Sequence, residues 1–230
     1  MNIETASPSW HELYRIGALA AILSEVIIVI GIIAFPFYPY APGNRSTEQI
    51  FALLQNDQLG GLISLDLHLL LGNLFGILLF LALYIALRQV NESLALIALA
   101  LGLVAEVLIV PARPISELFS LSGLYASATT EVARSHYLAA GEALLAQFNG
   151  TSWFLNTLFG GLSLLISSLL MLRSNVFGKA TACVGMITNV LVCLFFIPRI
   201  GIFLLFLSLP GYLIWNVQLA RRLLRLAQTS

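Results

Sequence analysis

The sequence predicts an all-α polytopic membrane protein, and three observations support this: its composition, its long apolar runs and the distribution of its basic residues. Of the 230 residues, 59% are hydrophobic and only 10% are charged, and the mean hydropathy is +0.95. A soluble domain needs a polar exterior, and ordinary chains carry about a quarter charged residues. We therefore expect lipid to be the solvent for most of the surface.

Six apolar runs are long enough to cross the hydrocarbon layer, which requires about 20 helical residues. Their expected bounds are 16–37, 59–87, 94–110, 152–172, 177–197 and 200–217. The second run is long enough to tilt or to project beyond the bilayer. We predict a single transmembrane helical bundle over residues 1–230, with six spans.

A signal peptide is the alternative interpretation of the first apolar run. Its leader contains Glu4 and Glu12 and is not basic, no small-residue cleavage site follows, and Glu25 lies near the middle of the run. Secretory signals have a basic leader and a shorter apolar core. We therefore expect a retained transmembrane span.

Basic residues in the short connections predict the orientation, because Lys and Arg accumulate on the cytoplasmic side. With six spans, seven fall on the side of both termini: Arg15, Arg88, Arg173, Lys179, Arg221, Arg222 and Arg225. Four fall on the other side: Arg45, Arg113, Arg134 and Arg199. We predict a multi-pass protein of the cell (cytoplasmic) membrane with cytoplasmic N- and C-termini.

Two outer connections are long enough to contain helices. In the first, Ser46 and Thr47 are suited to cap a short helix. In the second, between spans three and four, PARPISELFSLSGLYAS predicts a short helix that lies in the membrane interface or dips into it and ends near Ser122 and Gly123. EVARSHYLAAGEALLAQF predicts an amphipathic helix.

Polar groups within or beside the apolar runs are the candidates for a functional site. An ionisable side chain at the bilayer centre costs at least about 2.5–3.5 kcal/mol, so each one needs a partner or a role. Pro111 and Pro114 also interrupt a helix, and free backbone groups are tolerated at membrane depth only in a cavity or inside protein. We expect one outer-facing cavity lined by Glu25, Asp66, His68, Asn73, Glu106, Arg113 and Glu117.

Two stretches resemble a bacterial family of six-span membrane proteins described only as a domain of unknown function. They are LALYIALRQVNESLALIALALGLVAEVL and LFGGLSLLISSLLMLRSNVFGKATACVG, and the more specific element is RS-x-x-F-x-K, centred on Arg173 and Ser174. Family members tend to have a basic residue near the start of the third span, where this chain has apolar residues. The resemblance implies a cytoplasmic-membrane location and six spans, and no established activity.

Three functions remain open from the sequence. The preferred hypothesis is binding or transport of a small polar or amphiphilic molecule, or a lipid, in the polar cavity. The second is an intramembrane hydrolase-type enzyme with His68 or His136 as base; the third is a structural or assembly protein without a ligand. No HxxxH or HExxH spacing indicates a metal site, and no cofactor motif is present. Cys183 and Cys193 suit packing among apolar side chains. The formal net charge of zero gives no indication of a nucleic-acid partner.

Overall fold

The computed structural model describes residues 10–228. Glu4, which entered the argument about the leader, lies outside the described residues. The helices are α1 (His11–Ala34), α2 (Thr47–Asn56), α3 (Gln58–Ser64), α4 (Leu67–Leu74), α5 (Gly76–Leu87), α6 (Glu92–Ala112), α7 (Ile115–Ser127), α8 (Glu131–Leu145), α9 (Thr151–Arg173), α10 (Lys179–Cys193) and α11 (Gly201–Leu226). The prediction of an all-α fold is confirmed.

Among residues 10–228, five helical stretches are long and apolar enough to cross a membrane: His11–Ala34, Leu67–Leu87, Glu92–Ser127, Glu131–Arg173 and Gly201–Leu226. The apolar run predicted over 177–197 forms only the 15-residue α10, which is about 22 Å long and shorter than a bilayer core of about 30 Å. Large apolar side chains also point outward, and Phe203 on α11 is 70% exposed. These features support a membrane protein.

The apolar run 59–87 was predicted as one span. Its part Leu67–Leu87 is a candidate span, but the predicted start near residue 59 is wrong, because the helix is interrupted at Asp66. Helix α3 ends at Ser64, and Asp66 has the left-handed backbone angle φ of 62°. A minor, one-residue break at Phe75, whose backbone angles stay helical, separates α4 from α5 within the stretch Leu67–Leu87. The amides of Leu65 and Asp66 donate to carbonyls of the preceding turn, Gly61 and Ile63. Asp is among the few residues that tolerate the left-handed conformation, so the chain can turn there without glycine.

The chain divides into two compact units. Of the described residues, the first unit contains 10–26, Gly72–Val107 and 155–228. Its buried core includes Leu83, Met171 and Trp215, from α5, α9 and α11. Helices α10 and α11 pack directly on each other. This unit contains most of the apolar helical length.

The second unit consists of Ile27–Leu71 and Leu108–Phe154. Its core is formed by apolar side chains of α2, α7 and the turn after α8: Ile50, Phe51, Leu54, Ile115, Leu118 and Phe148. The predicted capped helix is confirmed as α2, where the Ser46 side chain accepts from the Gln49 amide and the Gln49 side chain accepts from the Ser46 amide. The connections therefore fold into a packed helical unit of their own.

Helix α7 continues to Ser127, so the predicted end near Ser122 and Gly123 is wrong. The Ser122 hydroxyl donates to the Phe119 carbonyl and accepts from the Gln55 side chain at 2.8 Å. Because both of these bonds are satisfied within the packed unit, this serine does not compete with the helix as it would in an isolated segment.

Candidate functional site

The seven side chains expected to line one cavity are distributed over both units. Glu25, Asn73 and Glu106 belong to the first unit, whereas Asp66, His68, Arg113 and Glu117 belong to the second. Each unit is described below by its own contacts.

Arg113 is the most completely surrounded charged residue of the second unit. It lies in the break between α6 and α7, and its side chain is only 2% exposed. The atoms Nε and Nη2 lie 3.2 Å and 3.1 Å from Oδ2 of Asp66. Nη1 donates to the carbonyls of Ala112 and Phe148, at 2.9 Å each. The guanidinium carbon also lies 4.3 Å from the ring centroid of Trp153.

These contacts neutralise Arg113 inside the protein. Nearly all of its five N–H donors are engaged, and its faces meet aromatic rings, here Trp153 and Phe148. A buried arginine so surrounded has little capacity left for a ligand. Its contacts instead connect three segments of the second unit: the break at Asp66, the break after α6 and the turn after α8.

The partner of Arg113 is not one of its near neighbours in the sequence. Its partner is Asp66, 47 positions away in the sequence, whereas Glu117 is exposed on α7. Because of the break at Asp66, Asp66 and His68 do not lie on one continuous helix. Local spacing gave no signal for this pair.

His68 lies beside this ion pair. It interacts electrostatically with Asp66 and Arg113, and its Nδ1 is buried without a hydrogen-bond partner among the described residues. Its ring packs against the backbone of α1, where a Cβ at Gly31 would be 2.1 Å from the His68 ring. His136, the other histidine considered as a base, is exposed on α8. Within residues 10–228, no three His, Cys, Asp or Glu side chains are grouped as a metal site.

The first unit contains a second polar group, which we call the acceptor group: Glu25, Glu106, Tyr212 and Asn216. Glu25 is 7% exposed and Glu106 is 6% exposed. The Asn216 amide donates to Oε1 of Glu25. Tyr212 lies one helical turn before Asn216 on α11 and interacts electrostatically with both Glu25 and Glu106.

The acceptor group is unusual because its buried oxygens lack donors. Oε2 of Glu25, Oε2 of Glu106 and Oδ1 of Asn216 have no hydrogen-bond partner among the described residues. Neither carboxyl group forms an ion pair within residues 10–228. Burial of an unpaired carboxylate is costly, so such a group takes up a proton or binds a cation or a hydrogen-bond donor.

Glycine allows one of these carboxyl groups to approach a neighbouring helix. Gly76 begins α5 directly after the break at Phe75. A Cβ at Gly76 would lie 2.0 Å from Oε1 of Glu106. The GxxxG pattern of Gly72 and Gly76, which predicts close internal helix packing, here makes room for a polar side chain.

Tyr212 and Asn216 were not predicted as site residues. They lie four positions apart on α11, and residues at this spacing share a helix face. The sequence pattern that could have identified them is a pair of polar residues at helical spacing inside an apolar run. Asn73, which was predicted, is partly buried in the first unit.

The profile of a family described as "Domain of unknown function (DUF4386)" matches residues 12–225. No curated protein and no solved structure matches the chain.

Proposed function

Because the chain belongs to this family of unknown function, we propose its function from its own residues: it binds or transports a small amphiphilic molecule that carries a positive charge or hydrogen-bond donors. The acceptor group of the first unit is the proposed binding site. Its buried oxygens without donors are the observation that supports the proposal.

The chemistry of these side chains selects the class of ligand. Two carboxyl groups and an amide oxygen offer acceptors, and no basic side chain is paired with either carboxyl group in the described residues. A cationic headgroup would supply the missing charge, and an apolar body would suit the surrounding helices. When no ligand is bound, protons would neutralise Glu25 and Glu106, so binding of a cation would release protons.

The membrane arrangement is part of the same proposal. We place the protein in the cell membrane with both termini in the cytoplasm, on the support of the seven basic residues assigned to that side. Helix α10, with the turn that follows it, would be a short sixth span, and α7 and α8 would lie at the outer interface. The wider cavity that also includes Asp66, His68, Asn73, Arg113 and Glu117 stays a prediction from the sequence.

A pair of probes with matched shape and opposite charge tests the proposal. Tetraphenylphosphonium is a lipophilic cation and tetraphenylborate is its anionic counterpart. We expect the cation to raise the unfolding temperature of the purified full chain in uncharged detergent more than the anion does. The Glu25→Gln/Glu106→Gln variant should lose this preference because it keeps the side-chain shape and removes both charges.

Glu92→Gln/Glu142→Gln is the matched control, because it removes two exposed carboxylates, on α6 and α8, that belong to no predicted cavity. It should retain the preference for the cation. Equal shifts of the unfolding temperature with both probes in the parent protein would contradict the proposed site. An unchanged preference for the cation in the Glu25→Gln/Glu106→Gln variant would also contradict it.

A second candidate is a structural or assembly protein without a ligand. The satisfied environment of Arg113 favours it, since that ion pair holds helices together and leaves few donors for another molecule. Cross-linking followed by purification from native membranes tests this candidate. A partner protein at constant stoichiometry would support it, and its absence together with a cation-specific shift would favour the binding function.

A further inference from the structure

The loop between α9 and α10 is tightly folded, and it contains the RS-x-x-F-x-K element. The Ser174 hydroxyl accepts from the Phe177 amide at 3.1 Å and donates to the Met171 carbonyl at 3.1 Å. The Phe177 side chain is buried in the core of the first unit. Two residues of the element therefore build the loop, and its two cations lie at the loop ends.

Helix α11 fixes the same loop from the other side. The Arg222 guanidinium donates to the carbonyl of Val176 through Nε and lies 3.5 Å from the carbonyl of Asn175 through Nη2. These carbonyls are only two to four positions from Arg173 and Lys179. The loop thus carries Arg173 and Lys179 at its ends and is contacted by a third cationic residue, Arg222 of α11.

The cations of this loop have no carboxylate nearby in the sequence. From 143 to the end of the chain there is no Asp or Glu, whereas Arg173, Lys179, Arg221, Arg222 and Arg225 all occur there. Within residues 10–228, neither Arg173 nor Lys179 nor Arg222 forms an ion pair. Arg173 and Lys179 are exposed, so an anion from outside the chain has access to them.

We propose that this loop binds the phosphate headgroup of an anionic phospholipid. The loop lies where α9 ends and α10 begins, and the exposed Leu169 and Leu224 lie on α9 and α11 close to the cations in the sequence. Exposed cations with exposed leucines near them in the chain suit a molecule with an anionic head and a hydrocarbon tail. A free phosphate has the same headgroup chemistry and would gain nothing from the leucines.

Lipid binding to the purified full chain in uncharged detergent tests this site. The probes are fluorescent phosphatidylglycerol, which is anionic, and fluorescent phosphatidylcholine, which is zwitterionic. We expect the protein to bind phosphatidylglycerol more tightly. Since one basic residue near an anionic lipid is worth about a fivefold change in affinity, the Arg173→Gln/Lys179→Gln variant should lose at least about fivefold of its affinity for phosphatidylglycerol.

The matched control is Arg45→Gln/Arg134→Gln, which removes two exposed arginines from the second unit and changes the net charge equally. It should keep the preference for phosphatidylglycerol. Equal binding of both lipids by the parent protein, or equal losses in both double variants, would overturn the proposal. Displacement of phosphatidylglycerol by an equal concentration of glycerol 3-phosphate would overturn the assignment to a lipid and indicate a soluble phosphate.

Discussion

Asp66 and Arg113 form an ion pair with 3.1 Å between Oδ2 and Nη2, and both residues lie at interruptions of helices. The aspartate has a positive φ between α3 and α4, and the arginine lies between α6 and α7. The two helix breaks bring these two charged side chains into contact. The pair therefore stabilises two irregular segments that would otherwise leave polar groups buried.

Removal of Arg113 should destabilise the protein strongly. Arg113→Met leaves the Asp66 carboxylate without its cation, and breaking a buried ion pair in this way costs about 3–5 kcal/mol. The free energy of unfolding, measured by denaturant titration of the purified protein in mild detergent, should fall by that amount. Asp66→Asn in the same background should recover part of it, because Asn removes the charge and tolerates a positive φ.

The exposed pair of Arg134 and Glu131 on α8 provides the comparison. Its atoms lie 3.4 Å apart, and the two side chains are 44% and 90% exposed. Arg134→Gln should cost about 0–1 kcal/mol, as is typical of exposed pairs. If Arg113→Met lowered the free energy of unfolding no more than Arg134→Gln does, the buried ion pair would not stabilise the two helix breaks.

Two glycines of the second unit should respond oppositely to alanine. A Cβ at Gly141 on α8 would lie 2.6 Å from Cγ2 of Thr47 and 2.7 Å from Cζ of Phe51. Gly141→Ala should therefore destabilise by about 1–3 kcal/mol through overpacking. At Gly123 on α7 a Cβ would meet nothing within 4 Å, so Gly123→Ala should stabilise by up to about 1 kcal/mol through helix propensity.

Thermal unfolding of both alanine variants under one condition measures the contrast. If Gly141→Ala proved as stable as Gly123→Ala, the close packing of α8 against α2 would be wrong.

Alkaline pH should destabilise the protein through Tyr40, which lies in the connection after α1. Burial raises the pKa of Tyr40 to about 12; Arg113 and a hydrogen bond with Asn149 oppose the rise, and Asp66 adds to it. The pKa of an unfolded tyrosine is about 10. The folded protein therefore holds this proton more tightly, and the resulting stability is complete below about pH 10 and is lost as the pH rises from about 10 to 12.

Tyr40→Phe has no phenolic proton and should remove this contribution. Unfolding temperatures measured from pH 9 to 12 should fall more steeply in the parent protein than in the variant. In a titration followed by phenolate absorbance, the variant should show one fewer tyrosine with a raised pKa. Parallel pH profiles of the two proteins would contradict a shifted Tyr40.

Local patterns predicted the parts of the fold that depend on neighbours in the sequence. The Ser46 cap and the amphipathic sequence of α8 involve residues within a turn or two of each other, and both helices are present. The break at Asp66 was not predicted, because an apolar run predicts a helix equally well on both sides of it. The shortening of α10 was missed for the same reason, since hydropathy measures the run and not where its helix ends.

The sequence by itself determined an all-α protein with membrane-length apolar helices, and it identified Glu25, Asp66, Glu106 and Arg113 as polar groups that need partners. Only the tertiary structure decided which partners they have. Asp66 neutralises Arg113, whereas Glu25 meets Asn216 and Tyr212. The physical reason is that the energetic need for a partner follows from burial of one charge, whereas the choice of partner depends on which distant segments pack together.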